Sequence, residues 1–233
     1  MNWREAALKI ADMLVNDSQV SVRQQAAISL AYLMSQETGP ALVKALNDSS
    51  ISVRNAAAHT IGIIRYKAAE DALIKMLPAE EESFYRTAIA ALGKLQSKKA
   101  LPLLKEALKH KNKYINIEAV RAIGEIGDTA IDYLLPYIKS QNEPSLRAEA
   151  ALALAKLGSK EGLSAARELI SSPDFVVKNN ALNAIVAASD IDSLPTIEKM
   201  LTEETDERVK SILDFAAQNL RDIKAKETKP EEK

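Results

Sequence analysis

The chain has 233 residues, of which 47% are apolar, 27% are charged, 4% are aromatic and none is cysteine. The absence of cysteine excludes disulfide frameworks, thiolate nucleophiles and Cys-ligated metal sites. With 31 basic and 32 acidic residues, the chain has no global field that would draw it onto nucleic acid or anionic lipid.

The first predicted helix runs from about Trp3 to Val15 and has no targeting signature. No basic region followed by an apolar run precedes it, and no apolar stretch approaches the roughly 18 residues needed to span a bilayer. We therefore expect a soluble, cytoplasmic protein. The composition, with only seven glycines, favours helix over sheet.

The second predicted helix, around residues 22–33, carries residue types that recur every 31 positions. A fixed period of this length indicates a repeat array, and its all-alanine column predicts a contact where only small side chains fit. The three principal columns are Val22, Val53, Phe84, Ile115, Leu146 and Val177; Ala26, Ala57, Ala88, Ala119, Ala150 and Ala181; and Leu30, Ile61, Leu92, Ile123, Leu154 and Ile185.

A leading helix precedes each of these second helices and carries apolar columns at the same period. Proline near the starts of several leading helices and glycine in the turns mark the boundaries. We therefore predict about seven antiparallel helix pairs. The leading columns are Leu42, Leu73, Leu104, Leu135, Ala166 and Ile197, then Leu46, Leu77, Leu108, Lys139, Ile170 and Leu201, in which Lys139 is the only break.

Polar residues at the start of the second helices have predicted structural roles. Asp17 and Asp48 are placed to cap the second helices of the first two units. The position after the first column is basic in most units, and we expect it to bridge to Asp or carbonyl groups in the preceding turn, as Asp17 with Arg23 and Asp48 with Arg54 would allow. The alternative is a basic ladder that binds a partner. The position holds Arg23, Arg54, Tyr85, Asn116, Arg147, Lys178 and Lys210.

The seventh pair departs from the register by one residue, and Leu213 replaces the column alanine. Terminal units that differ from the consensus are usually caps, and Trp3 is a candidate for the matching role at the other end. Residues 224–233 have no apolar stripe. We predict one solenoid domain over residues 1–223 and a disordered charged tail over 224–233.

The string Ala119-Val120-Arg121-Ala122-Ile123-Gly124-Glu125-Ile126-Gly127-Asp128 and its counterpart at residues 53–58, with the 31-residue period, resemble the HEAT-repeat family. The short variety named after phycobilisome lyases fits best, over about residues 3–223. The resemblance implies a right-handed, armadillo-like superhelix in which the second helices line a concave face that often holds a protein or peptide. It brings no shared catalytic motif.

No catalytic, cofactor or metal site is expected. The two histidines, His59 and His110, are too few for a metal centre without several carboxylates, and no P-loop, G-x-S-x-G or G-x-G-x-x-G string occurs. The acidic run at residues 80–82 is expected to open a helix, where it complements the helix dipole. The stretch from Lys94 to Lys113 holds seven lysines against one glutamate. We expect it to be a solvated edge, with an acidic partner or a nucleic-acid backbone as the alternative.

The positions that the core columns leave free on the second helices are the predicted partner site. Two rows should face the concavity, six and ten residues after the first column. Exposed apolar residues grouped with a tyrosine are a plausible recognition patch. The alternative is that Ile28 and Tyr32 pack against the first helix. The selected residues are Ile28, Tyr32, His59, Ile63, Lys94, Arg121, Glu125 and Lys156.

The sequence therefore predicts a non-catalytic scaffold or adaptor that binds a protein or peptide on its concave face. Two other functions stay open. The resemblance implies a bilin-lyase-like subunit that handles a tetrapyrrole, and some proteins of this architecture bind DNA or excise bases. The net charge of −1 and the scarcity of aromatic residues weigh against nucleic acid.

Overall fold

The computed structural model describes residues 3–77, 81–127, 129 and 131–227 and confirms the all-α prediction. Within these residues it contains fourteen α-helices and no strand. The chain divides into two compact units, Met1–Gly127 and Asp128–Lys233. The helices are α1 Trp3–Asn16, α2 Val20–Leu33, α3 Gly39–Ala45, α4 Ile51–Ile63, α5 Glu70–Met76, α6 Glu82–Lys94, α7 Leu101–Ala107, α8 Lys113–Ile126, α9 Ile131–Leu134, α10 Pro144–Lys156, α11 Lys160–Leu169, α12 Phe175–Ala187, α13 Leu194–Glu203 and α14 Glu207–Glu227.

In the first unit, the second helices α2, α4, α6 and α8 pack on one another in order, and each also packs on its own leading helix. All members of the alanine column and of the Leu/Ile column are buried. Thr60 is also buried, and its hydroxyl donates to the carbonyl of Ala27 at 2.8 Å, which joins α4 to α2. The predicted columns are therefore the contacts between neighbouring helices.

In the second unit, α10, α12 and α14 pack in order. Leu213 is buried where the other repeats have alanine. The predicted leading column is wrong at one place. Leu134 is buried and Leu135 is only partly buried, because α9 ends at Leu134 and a 3-10 turn over Leu135–Ile138 follows. Pro136 explains the change, since it has no N–H to donate and its ring displaces the preceding turn.

In six successive repeats, a residue one or two positions after the end of the second helix has a positive φ. Four of these residues are not glycine, with φ between 50° and 54°, a region that L residues rarely adopt. At Arg65, the N–H of Tyr66 donates to the carbonyl of Ile61 at 3.0 Å, as in a Schellman motif. These residues are Met34, Arg65, Gln96, Gly127, Gly158 and Ser189.

The predicted capping by Asp17 and Asp48 is wrong by two residues. The caps of α2 and α4 are Gln19 and Ser50, and neither makes a side-chain capping bond. Each aspartate instead accepts the backbone N–H of the cap residue, at 2.8 and 2.9 Å. The aspartates therefore close the turn before the helix.

The basic position after the first column binds turn carbonyls, as predicted, but its carboxylate partner differs. The Arg23 guanidinium donates to the carbonyl of Asp17 at 3.0 Å. It also donates to both carboxylate oxygens of Asp48, in the next repeat, at 2.7 and 2.9 Å. Arg54 donates to the carbonyl of Asp48. Where the arginine is absent, Asn116 replaces it by donating to the carbonyls of Ala107 and His110. At Arg23, Arg54 and Asn116, this position is therefore a structural feature that ties the turn to its helix.

The Arg23–Asp48 pair predicts a pH-dependent stability. Hydrogen bonds from Arg23 lower the pKa of Asp48 below its ordinary value of 3.8, against the opposing effect of burial. Because the folded-state pKa is the lower one, the pair stabilises the fold above pH 3.8 and its contribution is lost as the pH falls through the folded pKa. We expect the urea midpoint of wild type to exceed that of Asp48→Asn at pH 7, and the difference to shrink below about pH 4.

A matched control for this prediction is Asp214→Asn, which removes an exposed carboxylate on α14. Its midpoint should follow wild type across the same pH range. Urea midpoints of wild type and Asp48→Asn that differ by the same amount from pH 7 to pH 3 would contradict the prediction.

The last helix is longer than predicted. It includes residues 224–227 of the segment predicted to be a disordered tail, and the remaining residues of that segment lie outside the described part of the chain. Among the described residues, no helix combines the length and the hydropathy that a membrane span requires. The single solenoid domain over residues 1–223 stays a prediction.

Candidate functional site

Seven of the eight predicted partner-site residues belong to the first unit, and Lys156 lies exposed on α10 of the second. Tyr32, Ile63, Lys94 and Glu125 occupy the last turns of α2, α4, α6 and α8. Since these helices pack in order, the four residues form one continuous row, which we call the terminal row. Ile28, His59 and Arg121 lie one turn earlier on the same helices.

Tyr32, the first residue of the terminal row, lines an aromatic cleft of about 640 Å³. Tyr32 is 83% exposed and Trp3 is 78% exposed, so neither ring is covered by the rest of the unit. Ile28 is partly buried. The exposure of Tyr32 favours a recognition role over packing against α1, and Trp3 does not cover the end of the array. The aromatic cleft is lined by Trp3, Arg4, Ala7, Tyr32, Leu33, Ser35, Gln36 and Glu37.

One side of the aromatic cleft is held in place by polar contacts. Arg4 and Glu37 form an ion pair in which Nε and Oε2 are 2.7 Å apart. The amide of Gln36 donates to the carbonyl of Ile64, at the end of α4. These contacts connect the cleft wall to α1 on one side and to the end of α4, in the next repeat, on the other.

The other end of the terminal row is a charged cleft of about 460 Å³. It brings together three of the predicted residues, Ile63, Lys94 and Glu125. Two further polar residues, Arg65 and Gln96, were not predicted. The charged cleft is lined by Gly62, Ile63, Arg65, Lys94, Gln96 and Glu125.

The repeat explains how these side chains reach one cleft. A Cβ added at Gly62 would lie 3.0 Å from Cα of Ala91 and 3.2 Å from Cδ of Lys94. The small residue therefore lets α4 and α6 approach closely and lets the stem of Lys94 lie across α4. Arg65 and Gln96 lie two residues after the ends of α4 and α6, each with a positive φ, and both line the cleft.

The charged side chains of this cleft are not used by the fold. Across the described ranges, no hydrogen bond or ion pair engages the side chains of Arg65, Lys94, Gln96 or Glu125. Lys94 is partly buried, and the other three are exposed. By contrast, Arg121 pairs with Glu118 on its own helix, with 4.0 Å between Nη1 and Oε2. The cleft therefore presents two cations, an amide and one carboxylate to solvent.

The other candidate residues from the sequence either contact neighbouring side chains or are exposed. Lys99 pairs with Asp71 at 3.0 Å and Lys109 with Glu106 at 3.8 Å, so part of the basic stretch is paired along an exposed edge. The ring of His110 lies 5.8 Å from that of Tyr85, while His59 is exposed on α4. Among the described residues, no group of three His, Asp or Glu side chains is arranged to hold a metal ion. Of the acidic run at residues 80–82, position 80 lies outside the described residues and Glu82 begins α6.

Sequence reasoning missed Arg65, Gln96 and the wall formed by Arg4 and Glu37. The signal for Arg65 and Gln96 was present, since both follow the last apolar column at the 31-residue period and align with Gly127 and Gly158. Polar residues where other units have glycine indicate a position that faces solvent at the helix end.

Comparisons with known proteins agree with the helical repeat fold. A family model described as HEAT repeats matches residues 7–88, 70–144 and 131–221. A search of curated protein sequences gave no match.

Solved structures are similar in fold. The complex of CpcE and CpcF of phycocyanin lyase from Nostoc sp. PCC7120 matches at 20% identity and a TM-score of 0.58, over 93% of this chain and 83% of that one. An archaeal HEAT-like repeats protein from Thermococcus onnurineus NA1 matches at 15% identity and a TM-score of 0.55, over 93% and 97%. A designed armadillo repeat protein in complex with the peptide (KR)4 matches at 22% identity and a TM-score of 0.51, over 77% and 98%.

Proposed function

Because the chain belongs to the HEAT-repeat family, we propose that it is a non-catalytic adaptor that holds a peptide segment of another protein along the terminal row of its first unit. The observation that carries this proposal is Tyr32, which is 83% exposed at the start of a row that continues through Ile63. Exposed aromatic side chains that are grouped with other apolar side chains at a cleft are frequent anchors of interfaces.

The shape of the row supports a peptide rather than a globular partner. The four second helices of the first unit present one side chain each at the same turn, with a cleft at either end of the row. An extended chain offers side chains at regular intervals and suits such a row. A designed armadillo repeat protein of similar fold was solved with a bound peptide, which is consistent with this use of stacked helices.

We expect wild type to select peptides from a displayed library of random sequences about 12 residues long, a length that can span the row. The double variant Tyr32→Ala, Ile63→Ala should bind the selected peptides at least about tenfold more weakly, because it removes two apolar anchors. Fluorescence anisotropy with labelled peptides measures the change.

The control is the double variant Phe215→Ala, Val176→Ala, which removes an exposed aromatic and an exposed aliphatic side chain from the second unit. It should bind as wild type does.

If no peptide is selected, the adaptor proposal fails. Uptake of a linear tetrapyrrole with a visible absorbance change would then favour the lyase-like function. Salt-sensitive binding of a mixed-sequence duplex would favour nucleic acid. Microscopy of the tagged chain tests the expected cytoplasmic location.

A further inference from the structure

We propose that the charged cleft seats an acidic side chain, Asp or Glu, of the bound peptide, an inference that rests on the proposed function and names the chemistry of one anchor. Arg65, Lys94 and Gln96 can all donate hydrogen bonds into the cleft, while Glu125 can only accept. Since none of them has a partner in the described part of the chain, a ligand would not have to displace existing bonds.

The charge of the cleft matches one carboxylate. Two cations and one carboxylate leave a net charge of one positive unit, which a single Asp or Glu side chain neutralises. A guanidinium binds a carboxylate through two parallel hydrogen bonds, and an ammonium adds a point charge. A single carboxylate leaves the cleft neutral, whereas a doubly charged phosphate would leave it with one negative charge. The partly buried position of Lys94 strengthens its interaction with an anion relative to a fully solvated lysine.

The spacing of the helices sets the position of the acidic residue in the peptide. Tyr32 lies on α2 and Lys94 on α6, with α4 between them. Packed helices are about 8–10 Å apart, so the two anchors are separated by roughly 16–20 Å. An extended chain rises about 3.3 Å per residue. We therefore expect a bulky apolar residue about five or six positions from the acidic one, with the intervening segment passing over Ile63.

The test uses the peptides selected by wild-type protein, labelled with fluorescein and measured by anisotropy. Replacing the acidic residue of the peptide by its amide should weaken binding to wild type about tenfold. The same peptide change should cost less than about twofold with the double variant Arg65→Gln, Lys94→Gln, because this variant has already removed both cations that would bind the carboxylate. Lys94→Arg keeps the positive charge and should retain the preference for the acid.

Lys75→Gln is the matched control, because Lys75 is an exposed lysine on the leading helix α5. It should leave both peptide affinities unchanged. Circular dichroism and urea midpoints check that each variant is folded. Selected peptides that bind equally well as acid and amide, or that lose affinity equally on wild type and on the double variant Arg65→Gln, Lys94→Gln, would overturn the acidic anchor while the adaptor function stands. Failure to select any peptide would overturn both.

Discussion

Replacing Phe84 by alanine is expected to lower the free energy of unfolding by about 3–5 kcal/mol. Phe84 is 0% exposed and is among the largest fully buried side chains in the described residues. It occupies the first apolar column of α6, where neighbouring units have the smaller Val53 and Ile115. The surrounding helices α4, α5 and α8 cannot close the cavity fully, because each is held by its own columns. Urea unfolding followed by circular dichroism measures the loss.

The matched control for this substitution is Phe215→Ala. Phe215 is 62% exposed on α14, so the same atoms are removed without leaving a cavity. We expect a change within about 0.5 kcal/mol. Since stability in repeat arrays depends on contacts between neighbouring units, hydrogen exchange after Phe84→Ala should rise first in α6 and in the helices that contact it. Equal destabilisation by the two substitutions would contradict the burial of the column.

Replacing Ala119 by leucine is expected to cost about 1–3 kcal/mol through overpacking. Ala119 is 0% exposed on α8 and belongs to the column that holds alanine in six units. One turn further along α8, Cα of Ala122 would lie only 2.6 Å from a Cβ added at Gly93 on α6. The backbones of α6 and α8 therefore approach too closely for the larger side chain, and urea midpoints should fall accordingly.

A control for Ala119→Leu is Ala187→Leu at the end of α12, where the alanine is exposed. This change adds the same three carbons to a surface that has room for them. We expect no loss of stability beyond about 0.5 kcal/mol. A tolerated leucine at Ala119 would show that the second helices do not depend on small residues at this column.

The core could be predicted because burial follows the period of the helix and of the repeat. Every alanine from Ala26 to Ala181 in the column is buried, and so is every member of the Leu/Ile column. An apolar residue at the same place in each unit meets the same neighbours, so one unit predicts the others. One exception is Leu135, where Pro136 shortens the helix and moves the buried position to Leu134.

The partners of the polar residues could not be predicted in the same way. The repeat offers Arg23 two aspartates at equivalent places, Asp17 in its own turn and Asp48 in the next. Spacing along the chain favours the nearer one, whereas the structure gives Arg23 the carbonyl of Asp17 and the carboxylate of Asp48. The distance between stacked units decides this choice, and that distance is not contained in the spacing of residues.

Part of the candidate site was readable from the sequence for the same reason. The period determined that Tyr32, Ile63, Lys94 and Glu125 share one place on neighbouring second helices, and with it the order of aromatic, apolar and charged side chains. The left-handed backbone at Arg65 is indicated only by its alignment with Gly127 and Gly158, since arginine itself disfavours this conformation at a cost of about 1 kcal/mol. The period thus determines which side chains recur on each face. The close approach of the helices decides which of them meet in one cleft, because side chains from different repeats come together only when the repeats stack.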